Sequence, residues 1–358
     1  MTTSPHSASP DAGTPVHLAI TMGDACGIGP EIIARWWVDQ VRPSAVVIGD
    51  PAVMTRAIGW VAPGRVAVQA LSSPHEAWAL PAGTMGVWAP PGMPADLVAA
   101  PVGQVDERAG RAAAACIREA VRLARSGEVD AIVTAPLHKE ALALAGEPYP
   151  GHTELLQAEG AAPGEPPAPV RMMLANDQLK TVLVTIHVAL RRAIEQVTLP
   201  AVLETLRITH RAAATWGVAS PRIAVAGLNP HAGEGGLFGD EELTIIGPAI
   251  EAARAEGIDA HGPVAPDTVF MRARHDPPAH PGEFDVVVAM YHDQGLIPVK
   301  YMGLDQGVNV TLGLPFVRTS PDHGTAFDIA GTGQADASSF AQAAAMARRM
   351  VAGRRAAR

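Results

Sequence analysis

Short runs of aliphatic and β-branched residues recur along the chain, separated by longer Ala-rich stretches with apolar positions at helical spacing. The runs His17–Thr21, Ala45–Ile48, Ala131–Thr134, Thr181–Ile186, Ile223–Ala226, Val286–Met290 and Val308–Leu312 predict strands. Their apolar character is nearly unbroken, as in strands covered on both faces. Helices are predicted at Val105–Arg125, Pro200–Trp216, Glu241–Glu256 and Ser338–Ala352. In the first of these, Cys116, Ile117, Ala120, Val121 and Ala124 share one face, and Arg118, Glu119, Arg122 and Arg125 take the other. Strands alternating with helices predict βαβ units and a largely parallel sheet. Pro- and Gly-rich punctuation at Ala89–Pro94, Ala161–Pro169 and Asp276–Gly282 predicts surface loops.

Composition narrows this picture. A chain of 358 residues, 48% hydrophobic and 18% charged, has material for two domains, or for one large α/β unit with a cleft. Its net charge of −9, few aromatics and short basic clusters argue against nucleic acid as a partner. No run reaches the ~20 apolar residues that span a bilayer, so no membrane partner is expected. The start, Met1 to Gly13, lacks a basic, then apolar, signal pattern and reads as a disordered tail. Cys26 and Cys116 have neither disulfide-framework nor zinc-ribbon spacing, which fits a reducing cytoplasm.

The chemistry concentrates where strands end. Val182 to His187, Ile223 to His231 and Val286 to His292 each lead from a predicted strand to a histidine. In open α/β sheets the ligand crevice lies beyond the carboxyl ends of the strands, and parallel strands would bring all three imidazoles to that edge. Three neutral imidazoles suit zinc, cobalt, nickel or iron, with further positions open to substrate oxygens. One strand-end histidine is more often a surface or structural residue, but three at equivalent positions are harder to assign to packing. The flanking Asn229-Pro-His-Ala-Gly-Glu-Gly-Gly236 and Tyr291-His-Asp-Gln-Gly295 are too polar and Gly-rich for a core.

Lys300, Asn309 and Arg318 form a second group suited to phosphate and carboxylate. Thr319 to Thr325 reads as a turn into a helix start, able to hold an anion or simply to cap a helix. A third group joins His138 and Lys139 to Gly151-His152-Thr153, near the end of the Ala131–Thr134 strand. Gly27-Ile-Gly29-Pro-Glu31 fails the G-x-G-x-x-G dinucleotide pattern, because Ile32 occupies the third glycine's place. A tight turn opening a helix, with Pro30 in its first turn, is the plain alternative.

The segments Ile20–Glu31, Gly151–Glu154, Gly227–Gly236, Tyr291–Gly295, Gly307–Ser320 and Asp322–Gly331 together resemble the 4-hydroxythreonine-4-phosphate dehydrogenase family, over nearly the whole chain after the tail. Ala25-Cys26 departs from the family's usual Pro-Ala. The resemblance implies an isocitrate/isopropylmalate dehydrogenase-like α/β fold, two α/β domains flanking an active-site cleft on a largely parallel sheet. The expected organisation is a tail over 1–14, a first domain from 15–140 with 305–358, and a second over 141–304 carrying the metal-binding histidines and a dimer interface. It implies a homodimer whose active site is shared between subunits, with a divalent metal (zinc, magnesium, cobalt or similar) held by His187, His231 and His292. It implies contacts to a phosphorylated small-molecule substrate from His152, Thr153, Lys300, Asn309 and Arg318, and NAD or NADP as oxidant. The implied reaction is oxidation of 4-phosphohydroxy-L-threonine and decarboxylation to 3-amino-2-oxopropyl phosphate, in pyridoxal 5'-phosphate biosynthesis. Relatives acting on D-threonate or D-erythronate 4-phosphate share this mechanism and form the first alternative; a three-His metallohydrolase is the second. Lys139, Asp267 and Asp293 are the candidates for the general base.

Overall fold

The structure is a computed structural model that describes residues 14–357, except residues 42, 163, 304 and 305. The tail expected over 1–14 therefore lies, apart from Thr14, outside the described residues. Twelve strands form one sheet: β1 (Leu18–Thr21), β2 (Ala45–Ile48), β3 (Ala67–Ala70), β4 (Thr84–Trp88), β5 (Ala131–Thr134), β6 (Arg171–Ala175), β7 (Lys180–Leu183), β8 (Ile223–Ala226), β9 (Ala260–Val264), β10 (Val286–Ala289), β11 (Val308–Leu312) and β12 (Val317–Pro321). Their order is β3-β4-β2-β1-β5-β12-β11-β6-β7-β10-β8-β9. Only the pairings of β11 with β12, β11 with β6 and β6 with β7 are antiparallel among the described residues. The expected mixed α/β fold with a largely parallel sheet is thus what the chain adopts.

The helices are α1 (Gly29–Val38), α2 (Pro51–Val61), α3 (Glu107–Ser126), α4 (Lys139–Leu144), α5 (His152–Gly160), α6 (Leu190–Gln196), α7 (Leu199–Ala213), α8 (Gly247–Ala255), α9 (Val269–Ala273), α10 (His292–Tyr301) and α11 (Ser338–Ala356). Central strands such as β1, β2, β5, β8 and β10 are buried throughout, the reason for their unbroken apolar sequence. Pro30 sits in the first turn of α1, as the turn-and-helix reading required. A Cβ on Gly27 would come within 2.9 Å of Thr325, so that glycine lets the loop after β1 meet the loop after β12.

Several local expectations change. Glu119, assigned to the polar face of α3, is buried; its carboxylate accepts from the Trp88 indole at 3.1 Å and from Arg122. The helix expected from Glu241 opens as a π turn over Glu242–Ile246, and the Gly247 N–H donates to the Glu242 carbonyl. Pro248 has no N–H to continue the regular ladder, so the wide turn precedes α8. Thr319 to Thr325 is not a turn into a helix. Thr319 to Pro321 lie in β12, and α11 begins only at Ser338. Ala326, Gly331 and Gly333 take positive φ between them, which no helix accommodates.

Candidate active site

The carboxyl ends of β5, β7, β10 and β12 open on one cavity of about 660 Å³. Four elements bring side chains into it. Lys139 begins α4, and His152, Thr153 and Glu154 form the first turn of α5. His292, Leu296 and Lys300 line it from α10 at i, i+4 and i+8, the spacing of one helical face. Asn309 of β11 and Arg318 of β12 line it from the sheet, followed by Asp322 and His323. The five residues expected to contact substrate (His152, Thr153, Lys300, Asn309 and Arg318) therefore share one cavity.

Arg318 dominates its electrostatics. The side chain is 3% exposed, and its guanidinium donates to Thr311 Oγ1 at 3.0 Å and to Thr134 Oγ1 at 2.6 Å. Its Nε is buried with no partner, and no ion pair neutralises it among the described residues. Burial pulls its pKa down to about 10. Lys300 differs: its ammonium lies 2.7 Å from the Asp322 carboxylate. His152 is held neutral, its pKa far below the ordinary value because of burial, reinforced by Arg318 and Lys139. Its Nε2 is buried and unpartnered. A buried cation without a counter-ion, beside an orphaned imidazole nitrogen, makes a receptor for an anion.

The three strand-end histidines follow adjacent parallel strands, β7, β10 and β8. His187 and His292 face each other with ring centroids 5.4 Å apart. The His187 pKa is lowered by burial, then by Lys139 and His292, which favours the neutral, ligating form. His292 Nδ1 contacts Asp293 Oδ1 at 2.7 Å, leaving Nε2 for the cavity. His231 lies elsewhere. It lines a second groove, of about 760 Å³, with Asp267, Phe270, Tyr291, Asp293 and Ile297. Within one chain, and among the described residues, no three His, Cys, Asp or Glu side chains converge as a metal site.

His231 is aimed outward by an unusual loop. Residues 231–235 all take positive φ, and the loop winds around the buried Glu242 carboxylate. Glu242 accepts from the Leu228 and Asn229 N–H groups, each at 2.7 Å, and from the Asn229 side-chain amide at 2.9 Å. A Cβ on Gly233 would lie 2.8 Å from that carboxylate. Exposed Leu237, Phe238 and Leu243 flank the loop.

A profile of the family described as "Pyridoxal phosphate biosynthetic protein PdxA" matches residues 42–347. The chain belongs to this family. The 4-hydroxythreonine-4-phosphate dehydrogenase of Beijerinckia indica subsp. indica is 56% identical over 324 residues, 90% of this chain and 91% of that protein. The D-threonate 4-phosphate dehydrogenase of Salmonella typhimurium is 46% identical, covering 90% and 95% of the two chains. A crystal structure of 4-hydroxythreonine-4-phosphate dehydrogenase from Klebsiella pneumoniae superposes with a TM-score of 0.85 at 42% identity, covering 95% of this chain and 99% of that one.

Within this PdxA-family chain, the three candidate bases part company. Lys139 lines the cavity, whereas Asp267 and Asp293 line the groove beside His231. Sequence reasoning did not single out Glu154 or Asp322, the two carboxylates that line the cavity. Both stood in quoted motifs, Gly151–Glu154 and Asp322–Gly331, so proximity to Thr153 and Arg318 was the available signal. Among the described residues no helix is long and apolar enough to cross a membrane.

Proposed function

We propose that this chain is a cytoplasmic, metal-dependent dehydrogenase that oxidises 4-phosphohydroxy-L-threonine with NAD or NADP in pyridoxal 5'-phosphate biosynthesis. The 2-amino-3-oxo acid phosphate formed loses carbon dioxide to give 3-amino-2-oxopropyl phosphate. The observation that carries this reading is Arg318, a buried guanidinium that needs an anion from the ligand. The 56% identical relative supports the substrate assignment. Arg318, His152, Thr153, Asn309 and Lys300 bind the phosphorylated acid and exclude water from its reacting carbons. Glu154 offers a carboxylate to its ammonium group, a partner that a sugar-acid phosphate lacks.

The donor set fits a divalent ion. The 5.4 Å between the His187 and His292 rings suits two imidazoles on one cation at a metal–nitrogen distance of about 2.0–2.1 Å. Asp293 holds the other nitrogen of His292, the usual way a carboxylate orients a ligating imidazole. At His231 a carboxylate is also near, Glu234 Oε2 lying 3.3 Å from Nδ1. Since His231 faces away from its own cavity, the third donor comes from His231 of the partner subunit, and the active site is shared in a homodimer. Exposed Val188, Leu190 and Ile194 beyond His187, and Leu237 and Phe238 beyond His231, supply apolar surface for that interface. Two α/β units, residues 15–140 with 305–358 and residues 141–304, flank the cavity in this reading. When bound, the ion supplies Lewis acidity that lowers the pKa of the substrate hydroxyl and steadies charge on its oxygen.

The test is turnover followed by nicotinamide absorbance, with 4-phosphohydroxythreonine and D-threonate 4-phosphate side by side. A preference for the amino acid is expected. A preference for the sugar acid moves the chain to the alternative represented by the 46% identical relative. Hydrolysis without nicotinamide reduction would support the metallohydrolase and overturn both.

A further inference from the structure

The proposed reaction consumes and releases no net proton. Hydride transfer from the carbinol carbon to the nicotinamide frees the hydroxyl proton. Loss of carbon dioxide then leaves an electron pair on the neighbouring carbon, which must take a proton up. A group that stores the first proton and returns it serves both halves. Among the sequence candidates, Asp267 and Asp293 line the other groove, and Lys139 has no ion-pair partner to pass a proton to among the described residues. Glu154, in the first turn of α5, likewise forms no ion pair among the described residues.

We propose that Lys300 and Asp322 form this proton store; the proposal rests on the dehydrogenase reading above. Lys300 Nζ and Asp322 Oδ2 are 2.7 Å apart, and both residues line the cavity. The Asp322 side chain is 11% exposed, and its buried Oδ2 accepts no hydrogen bond, so the Lys300 contact is an ion pair in which the ammonium must turn to aim a proton at the carboxylate. The Asp322 N–H donates to Ser339 Oγ at 3.2 Å, and the Ser339 hydroxyl donates to the Gly307 carbonyl at 2.9 Å, so the backbone that carries the carboxylate is anchored. Lys300 shares its helix face with His292, and helical side chains lean back toward the N-terminus, here toward the His292 end.

The step balances. As the substrate hydroxyl gives its proton to Lys300, the ammonium passes one of its own to Asp322, which becomes a neutral acid. The hydride goes to the nicotinamide, and the carbon–oxygen bond becomes a carbonyl. After the carboxylate leaves as carbon dioxide, Lys300 protonates the carbon and recovers a proton from Asp322. Lys300 is the catalytic residue here, and Asp322, acting through it, is a positioning residue.

Asp322→Asn tests this, with Asp322→Glu beside it and the wild-type holoenzyme assayed first. Expected for Asp322→Asn is a fall in kcat of about 10²-fold or more. KM should stay within about threefold, because uniform binding is untouched. Asp322→Glu should recover a large part of kcat. A kcat for Asp322→Asn close to wild type overturns the assignment. So does a parallel rise in KM, an early melting transition or a loss of bound metal, any of which makes the carboxylate structural. If the wild type itself reduces nicotinamide with neither phosphorylated acid, the dehydrogenase reading fails first. If it turns over and only the variant's kcat is unmoved, the proton store alone falls.

Discussion

Replacing Arg318 by Met removes a cation from a place where the described residues supply nothing negative to balance it. Burial lowers the guanidinium pKa from its ordinary value to about 10, equivalent to roughly 3 kcal/mol of unfavourable charge burial. Against this stand two hydrogen bonds to the Thr311 and Thr134 hydroxyls. Each is worth about 1.5–3 kcal/mol for a charged donor, and both hydroxyls can turn to other acceptors. The two effects nearly cancel, so Arg318→Met should change the free protein's stability by less than about 2 kcal/mol, a few degrees in Tm. The liganded protein behaves differently. Removing one partner of a buried ion pair costs about 3–5 kcal/mol, or roughly 10²–10⁴-fold in affinity. Differential scanning fluorimetry with and without the phosphorylated substrate reads both quantities at once. The expected result is a near-native Tm that no longer rises on adding substrate, and a KM raised by a similar factor. A free protein melting more than about 10 °C early would make Arg318 a structural cation, and an unchanged KM would remove it from the substrate site.

Three further outcomes follow from the site. Glu242→Ala orphans the Leu228 and Asn229 N–H groups and should cost about 2–5 kcal/mol in urea unfolding, with Glu242→Gln costing less; an unaffected midpoint would mean the His231 loop holds itself. Burial raises the Asp24 pKa to about 6, so the folded state binds this proton more tightly than the unfolded one. Stability should therefore fall by roughly 3 kcal/mol as pH rises from about 4 to 6, and Asp24→Asn should flatten that slope in pH-dependent melts. His231→Ala and His292→Ala homodimers should each be inactive, yet mixed dimers should regain turnover because one site then keeps all three imidazoles; no recovery would refute the shared site.

Strands covered on both faces were the easiest part of the fold to read. β8 and β10 are four-residue apolar runs with no polar position to confuse the pattern, and β5 is apolar up to Thr134. The runs ending near His187 and His292 extend beyond β7 and β10, because Val184, Ile186 and Met290 are apolar just past the strand ends at Leu183 and Ala289. Five strands escaped notice for separate reasons. β3 is largely exposed, β9 contains Gly262 and Pro263, and β6 follows a Pro-rich stretch. β4 carries Gly86 amid its apolar residues, and β12 holds Arg318, Thr319 and Ser320, a polar run that is nonetheless buried. Local periodicity cannot foresee β12, since its polar side chains meet partners from other elements: Arg318 donates to Thr311 and Thr134, and Thr319 to the Ala343 carbonyl. The same holds for α10, which contains Gly295 and Pro298. The outward aim of His231 depends on Glu242, a contact made only when the π turn brings that carboxylate under the loop.

α10 separates two surfaces, and this has a thermodynamic consequence. His292, Leu296 and Lys300 look into the substrate cavity, while Asp293, Gln294, Ile297 and Pro298 line the groove beside His231. One link between the faces is the 2.7 Å contact between His292 Nδ1 and Asp293 Oδ1. A carboxylate that loses water when a subunit docks against it grips the imidazole more strongly and makes it a better ligand. On the shared-site reading, docking thus raises metal affinity, and linkage requires the converse: metal must tighten the dimer by the same factor. Sedimentation at falling protein concentration, with and without a chelator, measures this. The metal-loaded protein should stay dimeric at dilutions where the chelated protein separates, and Asp293→Asn should narrow the gap. Identical dissociation curves with and without metal would mean that the two faces of the helix are energetically independent, and that the third imidazole does not come from across the interface.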